Sequence, residues 1–137
     1  MNPEPLMFEW RTPEPERPIL DTGYLARLGG HLGRAVLAEL MADGLIELTD
    51  RTARMAEMEA AGDLDAIARL GHDLVGMAGH LGLTRLSAAA AEMNRAARDG
   101  AVGKVAPRVA EVRRLGTASV EAMRLHLDGM TGRIPGG

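Results

Sequence analysis

A chain of 137 residues with a net charge of −3, no cysteine and only 2% aromatic residues is sized for one domain with an aliphatic core. The missing cysteine excludes a disulfide scaffold, a thiolate zinc site and thiol catalysis, and without a basic block there is no footprint for nucleic acid. Abundant Ala, Leu, Arg and Glu favour helices, whereas strands draw on β-branched and aromatic residues, so an all-α fold is expected.

Residues 1–20 read as an irregular, proline-rich N-terminal arm in which Met7, Phe8 and Trp10 are the side chains able to pin it to the body. This stretch has Pro and Glu where a signal peptide carries Lys or Arg before an apolar run. No apolar run approaches the ~20 residues that span a bilayer, so a cytoplasmic protein without a membrane partner is expected. Asp21–Gly30 predicts a short lead helix. A long helix from about His31 to Ala61 carries Leu37, Met41, Leu45, Leu48 and Met55 at helical spacing, with Gly44 placed to bend it. Gly62 suits a helix end and Asp63 an N-cap for a helix from Leu64 to about Leu81, stopping at Gly82. Thr84 is the expected N-cap of the next helix, which presents Leu83, Leu86, Ala90, Met93 and Ala97 to the core and stops at Gly100. The last helix, about Lys104 to Leu127, presents Val105, Val109, Val112, Met123 and Leu127 and keeps Pro107 in its first turn, where a helix tolerates it. Four amphipathic helices with short connections imply an antiparallel up-down-up-down four-helix bundle over residues 21–128. Residues 129–137 form a Gly-rich tail.

The stretch GHDLVGMAGHLG, Gly71 to Gly82, places two histidines among four glycines, each glycine costing about 1 kcal/mol relative to Ala inside a helix. At 100° per residue, Ile67, Leu70, Gly71, Met77, Ala78 and Leu81 fall within about 60° of Leu74, and that is the buried stripe. His72 falls about 160° away, with Asp65, Arg69, Gly76 and Gly79 around it. Gly71 reads as a core contact and Gly82 as a helix stop. Gly76 and Gly79 have no such role in a four-helix bundle. Taken alone, His72 is a solvated surface histidine; the bare backbone beside it instead points to a partner that must reach the ring. His72 and His80 stand about 80° and roughly 12 Å apart, whereas ligands of one Zn²⁺ each lie about 2 Å from it. His31 and His126 belong to other helices, and Arg69 and Met77 leave no Glu-x-x-His pair. No metal is expected.

Ser87 and Ser119 lie in helices without the elbow and base that activate a serine. No GxxxxGK[ST] loop is present to hold ATP, so the chain is not expected to be an enzyme. What remains is imidazole itself, with an ordinary pKa of about 6.5, as a nucleophile near neutral pH and a carrier of a phosphoryl group. Positioning and charge stabilisation supply most of the catalysis in such transfers.

His72-Asp73-Leu74-Val75-Gly76-Met77-Ala78-Gly79-His80-Leu81-Gly82, preceded by AAGDLDAIARLG, resembles the histidine phosphotransfer (HPt) domain family, whose motif is roughly H-x-L-K-G with small residues and then LG. The resemblance covers about residues 21–127 and implies a four-helix bundle with His72 as phosphoacceptor, usually on the far ring nitrogen. Gly76 would give clearance. Asn94 and Arg98 match positions at which some members supply an amide and an Arg from the next helix. They lie about 40° and 80° from Ala90 on one helix edge, where Asn94 is placed to fix the imidazole tautomer and Arg98 to offset phosphate charge. An ordinary boundary Asn and a solvated Arg fit the same positions. The chain departs from the family at Val75, where the motif has Lys; Arg69, about 60° around the wheel from His72, is the candidate substitute. His80 reads as a rim contact, and Ala68, Val75 and His80, with Gly79, as docking surface. The resemblance implies a phosphorelay carrier that exchanges a phosphoryl group with the aspartate of response-regulator receiver domains, or takes it from a hybrid or ordinary histidine kinase. It needs no cofactor, since Mg²⁺ belongs to the receiver, and a monomer is expected. The alternative is a non-phosphorylated helical adaptor or inhibitor docking on a kinase or receiver, which the absent Lys favours.

Overall fold

The computed structural model describes residues 17–132, so Met7, Phe8 and Trp10 and residues 133–137 lie outside the described residues. Five helices and no strand occupy the described part: α1 (Thr22–Leu32), α2 (Arg34–Ala61), α3 (Leu64–His80), α4 (Thr84–Arg98) and α5 (Val102–Met130). From α2 onward each helix packs on its sequence neighbour, and α5 packs back on α2 to close the ring; α1 packs on α2. The α3–α4 seam is the most extensive and the α2–α3 seam the slimmest in that ring. No helix among the described residues is long and apolar enough to cross a membrane.

The core is aliphatic. Met41, Leu48 and Met55 of α2, Leu74 of α3, Met93 of α4 and Val109 and Val112 of α5 are fully buried, each such side chain contributing about 1.5–3 kcal/mol by transfer from water. Leu45, Met77 and Leu127, expected in the core, are only partly buried and pack on its flank.

Local chemistry fixes the helix ends. Asp21 caps α1, its Oδ1 accepting from the Tyr24 N–H at 2.9 Å, and Asp63 caps α3, accepting from the Ala66 N–H at 3.0 Å. Gly82 follows α3 with φ 77°, and a Cβ there would stand 3.0 Å from the Tyr24 ring. Its carbonyl accepts from the Asp21 N–H at 2.9 Å, tying the start of α1 to the α3–α4 turn.

Three details differ from the sequence-based expectation, and Gly44 has a role that it did not include. The first helix continues through His31 and Leu32, and the break falls at Gly33, whose φ of 89° suits a residue without a side chain. Gly44 does not interrupt α2. Its bare Cα admits Leu81 of the α3–α4 turn, since a Cβ would lie 2.7 Å from Leu81 Cδ1. Thr84 is the first residue of α4 and not its N-cap; Leu83 holds the cap position without a side-chain hydrogen bond. Leu83 is completely buried, and burying a leucine outweighs a cap of about 1 kcal/mol. Finally, α5 begins at Val102 and runs to Met130, into the expected tail. Pro107 therefore sits in the second turn, where it withholds the N–H that the Gly103 carbonyl would accept. Gly103 is exposed, so water is at hand for that carbonyl. The far end of α5 is closed by Arg34, whose Nε donates to the Met130 carbonyl at 3.0 Å, a cation at a helix C-terminus.

Candidate functional site

The site begins with the seam that holds α3 against α4. Gly71 faces α4, and a Cβ there would stand 3.0 Å from the Ala90 carbonyl oxygen and 3.0 Å from the Asn94 backbone nitrogen, so the two backbones approach closely. Two α4 side chains then bond α3 carbonyls. Asn94 Nδ2 donates to Ala68 O at 2.6 Å, and Ser87 Oγ donates to Val75 O at 3.0 Å. In an α-helix the Ala68 carbonyl also accepts from the His72 N–H. The turn that carries His72 is thus held to α4 on both sides.

His72 itself is exposed. A Cβ added at Gly76 or at Gly79 would meet nothing within 4 Å, so the helix surface beside the imidazole is open. The ring borders a hollow of about 650 Å³ that it shares with Asp65, Ala68, Arg69, Asp73, Asn94, Ala97 and Arg98. An adjoining hollow of about 390 Å³ is bordered by His72, Val75, Ala91, Asn94, Arg95, Arg98 and Asp99. The structure therefore brings His72 together with Ala68, Arg69, Val75, Asn94 and Arg98 from the sequence reading.

The cations differ in what they are free to do. Arg95 is paired with Glu92 at 2.8 Å, and its hydrogen bond and charge hold the Glu92 carboxyl below the usual carboxylate range. Among the described residues neither Arg69 nor Arg98 has a carboxylate partner within ion-pair distance. These two guanidinium groups are available to an anion in the hollow beside His72. Asp65 and Asp73 border the same hollow from α3.

Two expectations need correction, and a third residue lies apart from the others. The Asn94 amide is bonded to the Ala68 carbonyl, the acceptor that the close seam puts before it, and not to the His72 ring. Ala68 belongs to the buried core and forms part of the floor of the hollow, not an exposed docking contact. His80, expected as a rim contact, lies outside the His72 hollow. It is exposed, its Nδ1 lies 2.8 Å from the Gly76 carbonyl, and it borders a separate groove between α2 and α3. Its own carbonyl accepts from the Tyr24 hydroxyl at 3.0 Å. Sequence reasoning missed Arg95 and Asp99, which flank Asn94 and Arg98 on the same helix edge and were legible from that spacing. Among the described residues no three His, Asp or Glu side chains converge to hold a metal ion.

An outward imidazole with open backbone beside it and two guanidinium groups bordering the same hollow, without carboxylate partners among the described residues, suits transient attachment of a small anionic group. Among curated proteins and among solved structures no significant match to the chain was found. The family model described as Hpt domain matches residues 35–129, from the second residue of α2 to the penultimate residue of α5, and spans the whole His72 hollow. The chain therefore belongs to the Hpt domain family, whose members act in histidine phosphotransfer within two-component and phosphorelay signalling.

Proposed function

We propose that this chain is a cytoplasmic, monomeric phosphorelay intermediate in which His72 takes a phosphoryl group from a receiver aspartate or a histidine kinase and delivers it to another receiver. The observation that carries the reading is the exposed His72 beside Gly76 and Gly79, with Arg69 and Arg98 bordering the same hollow and lacking ion-pair partners among the described residues. The far ring nitrogen attacks phosphorus of the aspartyl phosphate; the N–P bond forms as the O–P bond breaks, and the receiver carboxylate is regenerated. Charge in such a transfer spreads over three equatorial oxygens. Val75 places no charge at the family's Lys position, so Arg98 from α4 and Arg69 from α3 offset it. The receiver brings its own Mg²⁺. The linkers 62–63, 81–83 and 99–101 are too short for crossovers, which supports up-down-up-down order.

Phosphoramidate, a small phosphodonor, and a phosphorylated receiver test the reading on the full chain. Wild type should acquire acid-labile phosphate, His80→Ala should keep it, and His72→Ala should lose it. Label retained by His72→Ala, or no label on wild type, would overturn the assignment.

A further inference from the structure

A second groove, of about 490 Å³, lies on the other side of α3, where α2 and α3 make the slimmest seam of the ring. Its apolar floor is Leu40, Met77 and Leu81, with Gly44 beneath Leu81. Leu40 is 37% exposed, and Val36, one turn earlier, is 49% exposed. The rim carries Asp43, Glu47 and Asp73 against a single cation, Arg51. Arg51 is already paired with Glu47, while Asp43 and Asp73 have no ion-pair partner among the described residues. His80 adds to this bias. With Nδ1 directed at the Gly76 carbonyl, which only accepts, the neutral ring carries its proton there and leaves Nε2 as an acceptor. The unpaired rim groups therefore ask for hydrogen-bond donors.

The His72 hollow differs: beside Asp65 and Asp73 it holds Arg69 and Arg98, neither with a carboxylate partner among the described residues. Asp73 borders both spaces, so a body seated over His72 reaches the groove as well. We infer that the α2–α3 groove receives an apolar side chain flanked by Lys or Arg on the partner that exchanges phosphoryl with His72. The inference rests on His72 being the phosphoacceptor. In the groove the unpaired charges are the carboxylates Asp43 and Asp73, whereas the His72 hollow sets Arg69 and Arg98 beside Asp65 and Asp73; Arg69 also borders a hollow that it shares with Glu47, Asp50, Arg51 and Arg54 of α2. A partner seated in this way places its acidic pocket over His72 and its cation and apolar anchor over the groove.

The test separates chemistry from docking. Phosphoramidate labels His72 without a protein partner; transfer is then followed to purified receiver domains encoded in the same genome, using the one that accepts fastest. Asp43→Lys, at an exposed position, should leave phosphoramidate labelling unchanged and lower kcat/KM for receiver transfer about tenfold at low salt, the deficit shrinking as salt rises. Glu57→Lys, an exposed α2 residue bordering neither space, makes the same charge change and should transfer like wild type. A Lys→Glu change in the receiver that restores the rate with Asp43→Lys would confirm the pairing. Normal labelling with unchanged transfer by Asp43→Lys, or a loss no greater than that of Glu57→Lys, overturns the inference alone. Absent labelling of His72 in wild type would overturn the phosphocarrier reading beneath it.

Discussion

Replacing Gly76 by Ala should stabilise the protein and slow its reaction with a receiver. Gly76 sits inside α3 with φ in the ordinary helical range, and a Cβ there meets nothing within 4 Å. The change therefore removes the glycine penalty without a clash, a gain of about 1 kcal/mol. For a domain of this size that corresponds to a Tm rise of roughly 3–6 °C, with a higher urea midpoint at unchanged m. Gly71→Ala is the internal contrast. It earns the same helical gain, but its Cβ would stand 3.0 Å from backbone atoms of Ala90 and Asn94, and overpacking of that kind costs about 1–3 kcal/mol. Its net effect should run from near zero to a loss of about 2 kcal/mol. Urea titrations followed by far-UV circular dichroism give the stabilities; transfer from a phosphorylated receiver gives the activity. A lower urea midpoint for Gly76→Ala, or wild-type transfer by that variant, would refute the view that Gly76 is kept for clearance beside His72.

Asn94→Ala removes the hydrogen bond to the Ala68 carbonyl and should cost about 1 kcal/mol in urea denaturation; it should also slow transfer, because the turn bearing His72 loses a tether. Ser119 is completely buried, and its hydroxyl has no hydrogen-bond partner among the described residues, so Ser119→Ala should raise stability by about 1 kcal/mol; destabilisation in the same titration would show that the hydroxyl is satisfied. Glu111 has its carboxyl held below the usual carboxylate range, first by the hydrogen bond from Arg114. A pKa lower in the folded state than in the unfolded one gives stability that is present above the unfolded value and lost as pH falls through the folded one. Glu111→Gln should therefore flatten the acid limb of stability against pH while changing little at pH 7, since the pair is at the surface.

The four long helices and most of their ends were legible because their signals are local. Asp63 and Gly62 act within one turn, and the stripe around Leu74 follows from periodicity alone. The outward placement of His72, Gly76 and Gly79 came from the same wheel. What escaped depended on neighbours distant in sequence. The packing role of Gly44 was missed because nothing in its own helix shows Leu81 arriving from the α3–α4 turn. Thr84 looked like a cap because its propensity is local, whereas the burial of Leu83 that displaced it is tertiary. Asn94 was aimed at His72 from helix spacing, but the close approach at Gly71 put the Ala68 carbonyl nearer. The carboxylate-rimmed groove joins α2 to α3 across residues that no single-helix pattern connects.

The attachment of α1 has a consequence for how the molecule opens. This short helix packs on α2 and is tethered to the α3–α4 turn by the Asp21 N–H on the Gly82 carbonyl and the Tyr24 hydroxyl on the His80 carbonyl. Detaching it uncovers Leu25 and Leu20 but leaves the ring of α2 to α5 closed. Such a peripheral unit opens at a lower free energy than the whole fold. In native-state hydrogen exchange the α1 amides should lose protection before those of α3. That ordering would mark α1 as a detachable strap on the end of the helix that carries His72.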